Sequence, residues 1–109
     1  MPSGKLWMQN DRFGNAIYLT DERWEHIIDP DNHPEIEPFL AQIRATIQLG
    51  RRKQDAYDSR SWEYSLAFSD LPLDYTHLVV CVRFRRSKDD EGNERDEKFV
   101  TTAYFQTRV

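Results

Sequence analysis

Leu78-Val79-Val80-Cys81-Val82-Arg83-Phe84-Arg85-Arg86 and, after a charged interval, Lys98-Phe99-Val100-Thr101-Thr102-Ala103-Tyr104-Phe105-Gln106 decide how this chain folds. Both runs are rich in β-branched and aromatic residues, and turn formers lie between them, which predicts a β-hairpin. Within Glu91-Gly92-Asn93-Glu94, Gly92-Asn93 suits a two-residue turn, with glycine supplying the positive φ. That turn sets Phe84 opposite Thr101, Val82 opposite Ala103 and Val80 opposite Phe105 on a core face. Arg83 then lies opposite Thr102, Arg85 opposite Val100 and Cys81 opposite Tyr104 on the other face. Slipping by one residue puts Arg83 and Arg85 beside Phe99 and Phe105 instead. The first register is favoured because it gathers Arg83, Thr102 and Tyr104. A guanidinium and a hydroxyl can hold phosphate oxygens, and a phenol can stack on a base or donate to an oxyanion. The plain alternative is a solvated face whose residues serve strand propensity.

Upstream, Trp62, Tyr64, Leu66 and Phe68 alternate with Glu63, Ser65 and Ala67, the period of a third strand. Asp70-Leu71-Pro72-Leu73-Asp74 breaks it, and residues 51–61 are polar and read as loop. Ile36, Phe39, Leu40, Ile43 and Ile47 recur at helical spacing in a longer helix that His33-Pro34 opens and Gly50 ends. Pro38 lies in its first turn, or marks where regular helix begins. Thr20 offers the N-cap of an earlier helix, followed by Asp21 and Glu22 and by the apolar stripe Trp24, Ile27 and Ile28. Residues 6–9 and 16–19 read as two short strands around a turn. The order is β-β-α-α-β-β-β. The class is α+β, with two helices packed on one side of a twisted, mainly antiparallel sheet.

A chain of 109 residues with 39% hydrophobic and 13% aromatic content predicts one packed domain spanning 1–109, loose only at its ends and in the charged tip 87–97. Fifteen basic against nineteen acidic residues leave a net charge of −4, so overall charge gives no push toward nucleic acid. The charges are uneven, however. Acidic residues dominate 21–37 and 89–97, while Arg51-Arg52-Lys53 and Arg83, Arg85 and Arg86 form basic clusters. The single cysteine, Cys81, excludes a disulfide framework and fits a reducing compartment. No leader pattern and no long apolar run is present, so a soluble, cytoplasmic protein without a membrane partner is expected.

Among the histidines, His26 points away from the apolar stripe of its helix, with Glu22 four residues earlier to orient it. It is a candidate general acid or base, or an ordinary surface histidine. His33 reads as a capping or packing residue and His77 as structural. With Asp29 and Asp31 they match no metal-ligand spacing, so no metal or other cofactor is expected.

Trp24-Glu25-His26-Ile27, His33-Pro34-Glu35-Ile36, the strand around Tyr64 and Val100-Thr101-Thr102-Ala103-Tyr104 come in a telling order. In this layout, over residues 17–104, the chain resembles the small nuclease domains of the barnase–EndoU–colicin–RelE group, in particular the phage-barnase-like branch. The resemblance implies two helices followed by a four-stranded antiparallel sheet. It also implies a metal-independent ribonuclease of toxin or phage-effector type, cleaving RNA by attack of the ribose 2′-hydroxyl. His26 would be the helix histidine, Thr101 or Thr102 the terminal-strand hydroxyl with Tyr104 beside it, and Arg83, or else Arg60, the basic residue. The expected catalytic set is therefore His26, Arg83, Thr102 and Tyr104. Arg51, Arg52, Arg60, Tyr64, Arg85 and Thr101 are expected to contact substrate. RNA and a cognate inhibitor or other protein are the expected partners. The alternative is a non-catalytic interaction or antitoxin-like regulatory module whose acidic surface binds a basic protein.

Overall fold

The computed structural model describes residues 4–108, so the expected loose ends at 1–3 and 109 lie outside the described residues. Strands β1 (Lys5–Asn10) and β2 (Ala16–Thr20) form a first hairpin and lead into helix α1 (Asp21–Ile27). A 3₁₀ segment, Pro34–Phe39, precedes helix α2 (Leu40–Leu49), and four strands follow: β3 (Arg51–Gln54), β4 (Ser61–Ala67), β5 (His77–Lys88) and β6 (Glu94–Gln106). The strands make one sheet in the order β1-β2-β6-β5-β4-β3. Every neighbouring pair is antiparallel except β2 and β6, which run parallel and meet at Tyr18 and Phe99. The α+β class and the helices-on-sheet layout are as the sequence predicts.

Thr20 caps α1 as expected, its hydroxyl accepting the Arg23 N–H at 3.1 Å. The second helical region is divided. Pro38 forfeits a backbone donor, so its stretch stays 3₁₀ and α-helix begins only at Leu40. Gly50 ends α2 with ordinary backbone angles, and its role is clearance. A Cβ there would lie 2.4 Å from the Thr46 carbonyl oxygen and 2.7 Å from that of Ser65. This close approach lets the chain turn straight from α2 into β3.

Two expectations are corrected. Residues 51–54 are not loop but the edge strand β3, with Arg52 paired to Tyr64 and Lys53 to Glu63. The final hairpin also has another register. Its loop spans five residues, with the Asp89 N–H donating to the Asn93 carbonyl, and Gly92 takes the positive φ of 82°. In the inner half Val80 faces Ala103 and Cys81 faces Thr102, two residues from the expected pairing. A bulge between Cys81 and Val82 then shifts the outer half. There Val82 faces Val100, Arg83 faces Phe99, Phe84 faces Lys98 and Arg85 faces Glu97. Thr101 is the bulged residue, and its hydroxyl donates to the Cys81 carbonyl at 3.2 Å.

The helices cover one face of the sheet. Ile43 and Ile47 of α2 and Ile27 of α1 bury against Ile17, Leu19, Tyr64, Leu78, Val80, Val82, Val100 and Ala103, all at most 1% exposed. Each such Ile, Leu or Val side chain contributes about 1.5–3 kcal/mol. The opposite face is open. Register makes its rows explicit: Ser61–Arg83–Phe99, then Lys53–Glu63–Cys81–Thr102, then Arg51–Ser65–Val79–Tyr104, then Ala67–His77–Gln106. Neighbours within a row are about 4.8 Å apart, and rows about 6.6 Å.

Candidate functional site

The open face is where the polar chemistry collects. A concavity of about 420 Å³ there is lined by Arg51, Arg52, Lys53, Glu63, Ser65, Gln106 and Arg108. Arg108 follows β6 and is held flat by Ser65 Oγ, to which its Nη1 donates at 3.0 Å, and by Gln106 Oε1, to which its Nε donates at 2.6 Å. Among the described residues, neither Arg108, Arg51 nor Lys53 has a carboxylate at ion-pairing distance. The other clustered arginines differ. Arg83 and Arg60 both pair with Asp58, Arg85 with Glu97, and Arg86 with Glu94 and Asp96. Cations without an ion pair among the described residues therefore gather in one concavity, with Glu63 as its carboxylate.

Beside it stand four groups able to donate, accept or move a proton. The Tyr104 hydroxyl points to Glu63 Oε1 at 3.4 Å. Burial first, then Cys81 and Glu63, push the Tyr104 phenol up to about 12, so at neutral pH it is a donor. The His33 ring lies 6.2 Å from the Tyr104 ring. The segment between α1 and α2 brings it there, running along β6 beyond the point where β2 departs. His33 Nδ1 faces Glu35 at 3.5 Å, and Nε2 has no protein partner among the described residues. Thr102 is half-buried, one row from Tyr104, with its hydroxyl likewise unclaimed. Cys81, between Glu63 and Thr102, has its thiol pushed up to about 11 by burial and by Glu63 and Asp55, and is inert at neutral pH.

The residues expected from the sequence are thus distributed. Thr102 and Tyr104 share the open face, and Arg51 lines the concavity on the same face, three strands across from Tyr104. Arg83 shares the face but sits a row away beside Phe99, and its Nη1 donates to Asp58 at 2.9 Å. Asp58 is held at about 2 by the Arg60 N–H, Ser61 and Arg83, so this pair persists to low pH. Arg60 flanks the same carboxylate. Thr101 is spent on the bulge.

Arg52 and Tyr64 lie on the helix side. The Arg52 guanidinium is stacked 4.2 Å from the Phe13 ring centroid and 4.2 Å from that of Trp62. Tyr64 is fully buried and donates its hydroxyl to Asp11, so it presents no surface to a substrate. His26 lines a second concavity, between α1 and the β2–β6 seam, with Arg85. The histidine that meets Tyr104 is His33.

Sequence reasoning missed His33, Glu63, Lys53 and Arg108. His33-Pro34 already stood in the sequence, but its meeting with Tyr104 depends on β2 leaving β6. Among the described residues, no group of three or more His, Cys, Asp or Glu side chains is placed to hold a metal ion, and no helix is long and apolar enough to cross a membrane. Compared with protein-family models, curated proteins and solved structures, the chain matches none.

Proposed function

We propose that the open sheet face is the site of a metal-independent ribonuclease. The observation that carries this reading is the set Arg51, Lys53 and Arg108, three cations without an ion pair among the described residues, in the concavity that Glu63 also lines; the Tyr104 hydroxyl points to that carboxylate. On a chain of net charge −4, three exposed cations gathered in one concavity make a local positive patch to which a polyanion's phosphates are attracted. The resemblance noted from the sequence supports RNA as that polyanion and supports chemistry without a metal. The four strands that follow the two helices accord with it.

In this reading the Glu63 carboxylate takes the proton of a ribose 2′-hydroxyl. The 2′-oxygen bonds to phosphorus, the bond from phosphorus to the 5′-oxygen breaks, and His33, protonated, returns a proton to that leaving oxygen. The product carries a 2′,3′-cyclic phosphate. Tyr104 and Thr102 donate to the non-bridging oxygens, where one preorganised donor is worth roughly 10²–10³ in rate. Each proton transfer adds roughly 10²–10⁴. Arg83, neutralised by Asp58, anchors the turn before β4 rather than the phosphate.

The test is incubation of end-labelled structured RNAs with purified protein in EDTA. Cleavage leaving cyclic-phosphate ends is expected. RNA that stays intact at every salt concentration refutes the reading and leaves the acidic segment 21–37 as a surface for a basic protein.

A further inference from the structure

We propose that Tyr57, in the loop joining β3 to β4, stacks on an unpaired base of the RNA whose phosphates lie in the neighbouring concavity. This rests on the ribonuclease reading and extends it to a nucleotide beyond the one being cut. Tyr57 is 100% exposed. Its ring meets no other ring and no cation, and its hydroxyl has no hydrogen-bond partner, among the described residues. Both faces of the ring are therefore open. The other aromatic rings near the sheet's polar side are already covered, Tyr18 by Lys5 and Phe99, and Trp62 by Arg52 and Phe84.

A ring on a slack loop makes a poor platform, because binding must first order the loop. This loop is tied at every step. Asp55 Oδ1 accepts the backbone N–H groups of Tyr57 at 2.8 Å and Asp58 at 3.0 Å. Asp58 in turn accepts the Arg60 N–H at 3.0 Å, the Ser61 hydroxyl at 3.1 Å and Arg83 Nη1 at 2.9 Å. Gln54 Nε2 donates to the Ser59 carbonyl at 2.8 Å, and the Phe84 N–H donates to the Arg60 carbonyl at 2.7 Å. The Arg83–Asp58 pair thus fastens the loop to β5. Holding a base there orders little beyond the two side-chain torsions of Tyr57 itself.

Charge decides what the ring meets. Between Arg51 and Arg60 stand four cations against two carboxylates, on a chain whose net charge is −4. Both carboxylates are engaged within the loop and with Arg83, whereas Arg51 and Lys53 have no ion pair among the described residues. Tyr57 follows Lys53 by four residues, at most about 14 Å of chain. The strands the loop joins are the ones that carry Arg51, Lys53, Glu63 and Ser65 of the concavity. Free cations beside a free ring take a single strand by its phosphates and by the flat face of a base. A protein partner would also use a rigid tyrosine, but the cations at its side favour the polyanion. Stacking reads a π-face that every base has, so Tyr57 selects an unpaired base rather than a sequence.

The test is fluorescence anisotropy with two uncleavable 2′-O-methyl oligonucleotides, identical except that one is abasic throughout. Wild-type protein should bind both at low salt and favour the base-bearing strand. Tyr57→Leu, at a position wholly outside the core, should weaken the base-bearing strand roughly 5- to 150-fold, the worth of one stacked base, and leave the abasic strand unchanged. Tyr57→Phe keeps the ring and should bind as wild type does. Unchanged binding by Tyr57→Leu overturns the base site alone and assigns the ring to a protein partner. An equal loss on both strands, or a Tyr57→Phe variant as weak as Tyr57→Leu, overturns it too. Failure of wild type to bind either strand at low salt overturns the ribonuclease reading with it.

Discussion

Replacing Asp11 by alanine should destabilise this small domain more than any other change to a charged residue. Asp11 is 7% exposed and sits in the turn between β1 and β2. Its carboxylate accepts the backbone N–H groups of Phe13 at 2.9 Å and Asn15 at 2.8 Å, the Asn15 side-chain amide at 2.9 Å, and the hydroxyl of buried Tyr64. Water can replace the carboxylate at the turn amides, so each of those bonds costs only about 0.5–1.5 kcal/mol. It cannot reach Tyr64, whose stranded hydroxyl costs about 1–3 kcal/mol. The two turn amides and Tyr64 together come to about 2–6 kcal/mol, or roughly 9–26 °C in Tm for a chain of this length.

Calorimetry or thermal circular dichroism reads this shift. Adding Tyr64→Phe to Asp11→Ala removes the stranded group and should restore about 1–2 kcal/mol, a coupling that a double-mutant cycle isolates. The pH dependence has a defined sign. Burial pushes the Asp11 carboxyl up, but Tyr64, Asn15 and the turn amides outweigh it and hold the group below its ordinary value of 3.8. Its contribution is therefore complete above about pH 4 and fades as pH falls through the lowered value, and Asp11→Asn should flatten that limb. A loss under 1 kcal/mol, or no recovery from Tyr64→Phe, would refute the reasoning.

Gly50→Ala, whose new Cβ meets two backbone carbonyl oxygens that cannot swing aside, should cost about 1–3 kcal/mol in urea unfolding; a neutral result would mean that the α2–β3 junction is looser than its geometry. Cys81, with its thiol pushed up to about 11, should react with iodoacetamide at pH 8 over 100-fold more slowly, as a rough figure, than a free cysteine, and rapid labelling would contradict its burial.

The sequence was most legible where apolar periodicity is strong. The alternation through Trp62, Tyr64 and Leu66 and the run from Leu78 to Val82 locate β4 and β5, and Thr20 marks the start of α1. Strand β3 was invisible because Arg51-Arg52-Lys53-Gln54 has neither alternation nor apolar content. It is an edge strand, where charge guards against aggregation, and pairing with β4 rather than propensity makes it a strand.

The hairpin register failed for a related reason. Nothing local in Val100-Thr101-Thr102 announces a bulge, and the five-residue loop around Gly92 satisfies the same turn chemistry as a two-residue one. The shift of two in the inner half keeps Thr102 and Tyr104 on the same face, the open one. The bulge removed Arg83 from Thr102 and brought it beside Phe99. Arg108, His33 and Lys53 reach the site from distant parts of the chain, and only the folded sheet places them together.

The central claim, that the open face cuts RNA, is tested most directly by initial rates of cleavage in EDTA for wild-type protein and for the triple variant Arg51→Gln, Lys53→Gln, Arg108→Gln. The account predicts cyclic-phosphate products from wild type and a fall in kcat/KM of at least about 100-fold in the triple variant, with the fold intact because these side chains face solvent. Equal rates from the two proteins, or products without a cyclic phosphate, would contradict it.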